Sequence, residues 1–132
     1  MNETDLVQAI LVELSKRDCL VWRNNSGALY ETYPVMRNGA QVFINGEPVY
    51  FRGRIVRFGL EGSADIVGWC RKCGRFIAPE GKAPRGRLSD AQIAWGAQAK
   101  SAGVVYCVAR TVQDAIDVVE QHQRQHQRTH GG

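Results

Sequence analysis

No stretch of this sequence approaches the run of about 18 apolar residues that a membrane-spanning helix requires, so a single-helix span is excluded. Cysteine is sparse, with four in 132 residues. The opening MNETDLVQAI is acidic and amphipathic, without the basic-then-apolar order of a secretory leader. A disulfide framework is therefore not expected, reduced or metal-bound thiols are, and the chain is expected in the cytoplasm. Proline is scarce too, four in all, and no Pro- or Ser-rich tract divides the chain. One domain is the expectation. What is present is an ordinary core composition, 44% hydrophobic and 23% charged, enough to bury a core without staples.

The net charge of +4 is modest, but it is unevenly spread. Nine of the 17 Lys and Arg residues lie between Arg52 and Arg87, where the only acids are Glu61, Asp65 and Glu80. If two of those acids hold metal, the segment presents a positive surface suited to a phosphate backbone. The bland alternative is a solvated basic face.

Apolar residues Leu6, Val7, Ile10, Leu11 and Leu14 recur at helical spacing behind Asn2, a good cap, and predict a helix over 3–17. Cys19–Arg23 reads as a short strand closed by Asn24-Asn25-Ser26-Gly27. Residues 29–53 read as an accessory hairpin, with Ala40–Ile44 and Pro48–Phe51 flanking an Asn45-Gly46 turn. A strand pair follows, Ala64–Trp69 and Arg75–Lys82, about a turn at 71–74. Beyond a Pro/Gly/Arg loop, Ser89 opens a helix stopped by Gly103, Val104–Val108 is a strand, and Thr111 caps a last helix. From residue 122 the chain is polar and expected to fray, leaving 1–121 as the folded domain. The order predicts an α/β fold: a central mixed sheet flanked by helices, with the hairpin inserted.

A turn centred between Lys72 and Cys73 pairs residues whose numbers sum to 145. Trp69 then faces Phe76, Val67 faces Ala78, and Asp65 faces Glu80, all on one side of the sheet. Two carboxylates so opposed repel unless a cation joins them, and oxygen donors at that spacing suit Mg²⁺ or Mn²⁺. Lys82 projects from the same side, where its ammonium can orient water or stabilise charge on a phosphate under attack. Asp, then Glu-x-Lys, is a complete hydrolytic set. The same residues also read as strand-end acids neutralised by a surface lysine.

Several segments together carry a family resemblance: Gly62-Ser63-Ala64-Asp65-Ile66-Val67-Gly68, Gly74-Arg75-Phe76-Ile77-Ala78, Glu80-Gly81-Lys82 and Gly86-Arg87-Leu88-Ser89-Asp90-Ala91-Gln92. Val21–Ala28 and Tyr106–Ala115 extend it. They resemble the virus-type replication-repair nuclease (VRR-NUC) domain of the PD-(D/E)XK nuclease superfamily. The likeness spans nearly the whole chain apart from residues 29–53 and the tail. It implies a restriction-endonuclease-like α-β-β-β-α-β core and hydrolysis of DNA with Mg²⁺ or Mn²⁺. The small stand-alone members further imply a homodimeric Holliday-junction resolvase in a bacterium or a phage-infected bacterial cell. A flap or nicking nuclease of the same fold and a weakly active DNA-binding module are the alternatives.

The resemblance makes Asp65 and Glu80 metal ligands, joined by the Gly81 carbonyl, with Lys82 assisting the nucleophile. Glu3 matches a helix-borne glutamate of the family, though a first-turn acid is also favoured by the helix dipole. Gln92 matches a position beside the site, although Ser89-Asp-Ala-Gln92 is equally a capping box. Asn25, Ser63, Arg85 and Arg87 border the site and would meet DNA phosphates. The family run around Glu-x-Lys is apolar and β-branched, whereas here Pro79 and Gly81 bracket Glu80. A bulge there would re-aim Glu80 and lower activity, and in the DNA-binding-module alternative a β-branched residue at 81 should raise it.

Cys70-Arg-Lys-Cys73-Gly supplies two of the four ligands that structural zinc needs. Free thiols are the preferred expectation, with zinc shared with a second subunit or with tail histidines His122, His126 and His130 as the alternative. Cys19 and Cys107 read as small core residues. Tyr30, Tyr33, Tyr50 and Phe51, among Arg37, Arg52 and Arg54, form either a DNA-contacting or dimer-forming arm or a satellite cluster.

Overall fold

The computed structural model describes residues 1–130, apart from the side chains of Phe58, Arg128, Thr129 and His130. The chain divides into two compact units: Met1–Asn25 with the chain from Leu60 onward, and Ser26–Gly59 between them.

In the larger unit, α1 (Glu3–Ser15) begins where the Asn2 side chain accepts a hydrogen bond from the Asp5 N–H at 2.8 Å. Its buried stripe is Leu6, Val7, Ile10 and Leu14. Asp18, at φ 59°, then turns the chain into β1 (Cys19–Arg23).

The inserted unit holds β2 (Gly27–Pro34), β3 (Met36–Arg37), β4 (Ala40–Gln41), β5 (Phe43–Ile44), β6 (Glu47–Pro48) and β7 (Tyr50–Phe58). The expected Asn45-Gly46 turn is present, joining β5 to β6. The single hairpin over 29–53 is corrected, because the long pair is β2 with β7 and the smaller ladders branch from its far end. Val35, Val42 and Val49 are the reason. Each valine N–H donates to the carbonyl of another at 2.9–3.0 Å, closing a ring of three backbone bonds. A Val-x-x-Asn-Gly-x-x pattern runs twice, and each Asn-Gly takes the positive φ that a tight two-residue turn demands. On the ribbon, Arg52 lies over the Tyr30 ring at 4.7 Å and Arg54 pairs with Glu31 at 3.0 Å.

The larger unit resumes with β8 (Ile66–Cys70), β9 (Phe76–Gly81), α2 (Asp90–Ser101), β10 (Val105–Ala109) and α3 (Val112–His130). Its sheet has the order β1-β8-β9-β10, antiparallel except for β10, which runs parallel to β9 through the α2 crossover. It is a mixed sheet between helices. One face packs on α1 and α3 through Ile10, Leu14, Ile66, Ile77, Ala115 and Val119, so trimming Leu14 to alanine would cost about 2–5 kcal/mol. The other face meets α2 through Ala64, Val67 and Ala78 under Trp95 and Tyr106.

The frayed tail expected from residue 122 is also corrected. Helix α3 runs on to His130, because its polar face finds partners in the core chain. Gln123 Nε2 donates to the Arg17 carbonyl at 2.7 Å, and His122 Nε2 lies 3.1 Å from Cys73 Sγ. Gly131 and Gly132 lie outside the described residues.

Candidate functional site

The expected β8–β9 register holds where the strands pair, at Gly68↔Ile77 and Trp69↔Phe76, both summing to 145. Hydrogen-bonded pairs end at Gly68↔Ile77, short of Asp65 and Glu80, which the same register sets opposite one another. Asp65 sits in the bend before β8, where the Asn24 N–H takes its carbonyl at 2.7 Å.

Pro79 lies beyond the last hydrogen-bonded β8–β9 pair, Gly68↔Ile77. The Lys82 N–H donates to the Ala109 carbonyl on the β10 side at 2.9 Å. Period-two alternation then points the N–H of residue 80 toward β10 and the nitrogen of residue 79 toward β8. Proline's missing donor thus falls on the β8 side and leaves the β9–β10 ladder intact. The β9–β10 register is unbroken from Ile77 to Gly81, so no bulge forms at Pro79–Gly81.

Gly81 is needed for packing. A Cβ there would meet Val7 Cγ2 at 2.8 Å and stand 3.7 Å from Asp65 Oδ2. The expectation that a β-branched residue at 81 would help is corrected: helix α1 occupies the space.

The side chains of Asp65 and Glu80 still converge at the end of the sheet where β8 begins and β9 and β10 end. Glu80 is 1% exposed and, among the described residues, is the buried ionisable residue of the core. Its Oε1 and Asp65 Oδ2 are buried without a hydrogen-bond donor. Burial pushes the Glu80 carboxyl up to about 9, and the Asp65 carboxylate pushes the same way against the opposing Lys82 charge. Ionised together the two carboxylates would repel with no donor between them, so either a proton on Glu80 shared with Asp65 or a cation must join them. Hard oxygen donors so placed, with the Gly81 backbone alongside, fit a divalent cation of the Mg²⁺ or Mn²⁺ type.

Three further expected residues gather there. Lys82 Nζ lies 3.4 Å from Gln92 Oε1. The same oxygen accepts the Ser89 N–H at 2.8 Å, while Ser89 Oγ accepts the Gln92 N–H at 3.1 Å. The two readings of Gln92 are therefore one arrangement, in which the capping box holds the amide that meets the lysine. Glu3, in the first turn of α1, makes a long 3.5 Å contact with the Ala83 N–H and adds negative charge near Glu80. Arg85 and Arg87 are exposed on the following loop, and Asn25 is exposed after β1. Ser63 is differently engaged: its hydroxyl donates to the Leu60 carbonyl at 2.6 Å and accepts from Asn24 Nδ2 at 2.8 Å.

Two positioning residues escape a pattern reading. Asn24 binds Ser63 Oγ, the Ala64 carbonyl and the Asp65 carbonyl at once, fixing the bend that carries Asp65. Arg110 Nη1 reaches the carbonyls of Ala83 and Gly86 at 2.7 and 2.9 Å, pinning the loop after Lys82. Asn24 reads in sequence only as a turn former and Arg110 only as one more positive charge. No protein-family model, curated protein or solved structure matches this chain.

Proposed function

We propose that the protein is a metal-dependent, structure-selective endodeoxyribonuclease that hydrolyses phosphodiester bonds in branched DNA. The observation that carries this reading is the pair of buried, donorless oxygens of Asp65 and Glu80 beside Lys82. The element order α1-β1-β8-β9-α2-β10 supports reading the larger unit as a restriction-endonuclease-like core of the VRR-NUC kind.

Asp65 and Glu80, with the Gly81 carbonyl, would hold Mg²⁺ or Mn²⁺. Such an ion supplies Lewis-acid stabilisation of charge on the scissile phosphate. The chain's own part is positional and electrostatic. Lys82, steered by Gln92, orients the attacking water or meets the developing negative charge. Arg85 and Arg87 grip flanking phosphates, and the Arg110 staple keeps their loop in place. Paired nicks across a four-way junction require two copies. An exposed strip of Leu20, Trp22, Trp69 and Phe76 offers apolar surface for that contact, with Trp22 and Trp69 edge to face at 5.8 Å. The regular β9–β10 register through Gly81 supports reading Glu80 as well aimed, and a weakly active DNA-binding module is the rival that the cleavage assay separates.

The test is incubation of the protein with a labelled four-way junction and Mg²⁺ or Mn²⁺. Symmetric paired nicks support the resolvase, and cleavage confined to one arm or to flaps supports the nicking alternative. No cutting of any branched DNA, or unchanged cutting by Asp65→Asn, overturns the proposal.

A further inference from the structure

At the opposite end of the β8–β9 hairpin the fold gathers a second donor set, of different chemistry. Cys70 ends β8, Cys73 lies in the turn, and His122 comes from α3. The Sγ atoms of the two cysteines and a ring nitrogen of His122 all lie within 4.8 Å of one another. Zinc held tetrahedrally by sulfur at about 2.3 Å and nitrogen at about 2.0 Å sets its ligand atoms about 3.3–3.8 Å apart. Cys73 Sγ and His122 Nε2 are already 3.1 Å apart, so small side-chain rotations would close the set.

The backbone brings the two cysteines together. Gly74, at φ 76°, lets the chain double back while its N–H donates to the Cys70 carbonyl at 2.7 Å. The turn so closed carries both sulfurs at the hairpin tip, within reach of the His122 ring.

His126 follows His122 by one helical turn, with ring centroids 6.4 Å apart. The spacing is C-x₂-C on a hairpin tip and H-x₃-H on a helix, a combination suited to a closed, four-ligand site. Cys19, the Cα partner of Cys70 across β1, and His126 both lie outside the close group. His126, partly exposed one helical turn from His122, is the candidate for the fourth position, whereas Cys19 is buried in the core.

We propose that Cys70, Cys73, His122 and His126 form a structural Zn²⁺ site within one chain, clamping the β8–β9 turn to α3. Binding expels the two thiol protons to solvent, and the imidazoles bind neutral, so the filled site carries no net charge. It accounts for the long polar extension of α3, which has little apolar surface to hold it down. The inference is independent of the carboxylate site and survives if that reading fails.

The test is to load the reduced, full-length protein with Co²⁺ and then displace it with Zn²⁺, recording the visible and near-ultraviolet spectrum. One equivalent per chain with thiolate-to-cobalt charge transfer and tetrahedral band intensity is expected. Asp65→Asn should leave that spectrum intact, because carboxylate oxygens do not produce it. Cys73→Ala and His122→Ala should lose it. His126→Ala should weaken zinc by at least the roughly 10–100-fold that loss of a supporting group costs a metal site. No thiolate charge transfer in the reduced wild type overturns the proposal without any variant having to fold. Zinc unchanged in His126→Ala but lost in Cys19→Ala overturns the ligand set.

Discussion

The two ends of the β8–β9 hairpin gather donor sets of opposite chemistry. At the open end, Asp65 and Glu80 present buried oxygens that meet no donor from another residue. At the turn end, the sulfurs of Cys70 and Cys73 group with a ring nitrogen of His122 within 4.8 Å. The same two strands thus carry a hard oxygen pair and a soft sulfur-and-nitrogen set. A hard pair can take up a hard cation together with the oxygens of a substrate. A soft, closed set suits a structural ion. On the two proposals, chemistry and clamping are separated by the length of one hairpin.

The sharpest way to break this contrast is at the open end. Asp65→Asn and Lys82→Ala should each lower junction cleavage by about 10²–10³-fold or more while binding in EDTA changes little. Cleavage time courses beside gel-shift titrations decide it, and a parallel loss of binding would count against a catalytic role. At the turn end, Cys73→Ala should lower the thermal midpoint by several degrees, with cleavage largely kept at temperatures where the variant is folded. Equal damage to turnover there would erase the division of labour.

Gly81→Val should destabilise by about 1–3 kcal/mol through collision with Val7, and Val7→Ala should recover part of the loss. Denaturant melts of the two single variants and the double measure it. Additive effects would show that the two side chains do not meet.

Protonation offers a gentler probe. With its folded value raised to about 9 from an ordinary 4.5, Glu80 makes the metal-free folded state bind the extra proton. That stabilising contribution is complete below about pH 4.5 and is lost as pH rises toward 9. Melts in EDTA should therefore weaken over that window, and Glu80→Gln should flatten the slope. Added Mn²⁺ should protect the wild type at the alkaline end and not the variant. The smallest effect belongs to Arg85→Ala and Arg87→Ala, each expected to weaken DNA binding severalfold and reduce the salt slope by about 1. An unchanged slope would remove them from the phosphate contacts.

Much of the larger unit was legible because its signals are local and periodic. Leu6, Ile10 and Leu14 mark a helix stripe, the Ser89–Gln92 box marks a helix start, and the sum-of-145 register follows from turn position alone. The convergence of Asp65, Glu80, Lys82, Gln92 and Glu3 was legible by motif. What failed depended on partners distant in sequence. Pro79 looked disruptive because no pattern says toward which neighbouring strand its missing donor points. Gly81 looked loose because Val7 lies far away in sequence. Residues 122–130 looked frayed because their partners, Arg17 and Cys73, are polar contacts that no hydrophobic periodicity announces. In the inserted unit the second Asn-Gly was as readable as the first, yet only the valine ring explains why the two turns act together.

That ring has a consequence for how such a chain can change over generations. The insertion leaves and re-enters through the adjacent strands β2 and β7, with Ala28 and Arg57 as cross-strand partners. Its path therefore starts and finishes within about 5 Å. A segment that closes on itself in this way behaves as an exchangeable cassette. It can be lengthened by another Asn-Gly arm or excised to a short linker between Asn25 and Leu60, with the loop-closure entropy of the surrounding chain barely altered. Descendants of one such core could then differ widely here while keeping the same sheet.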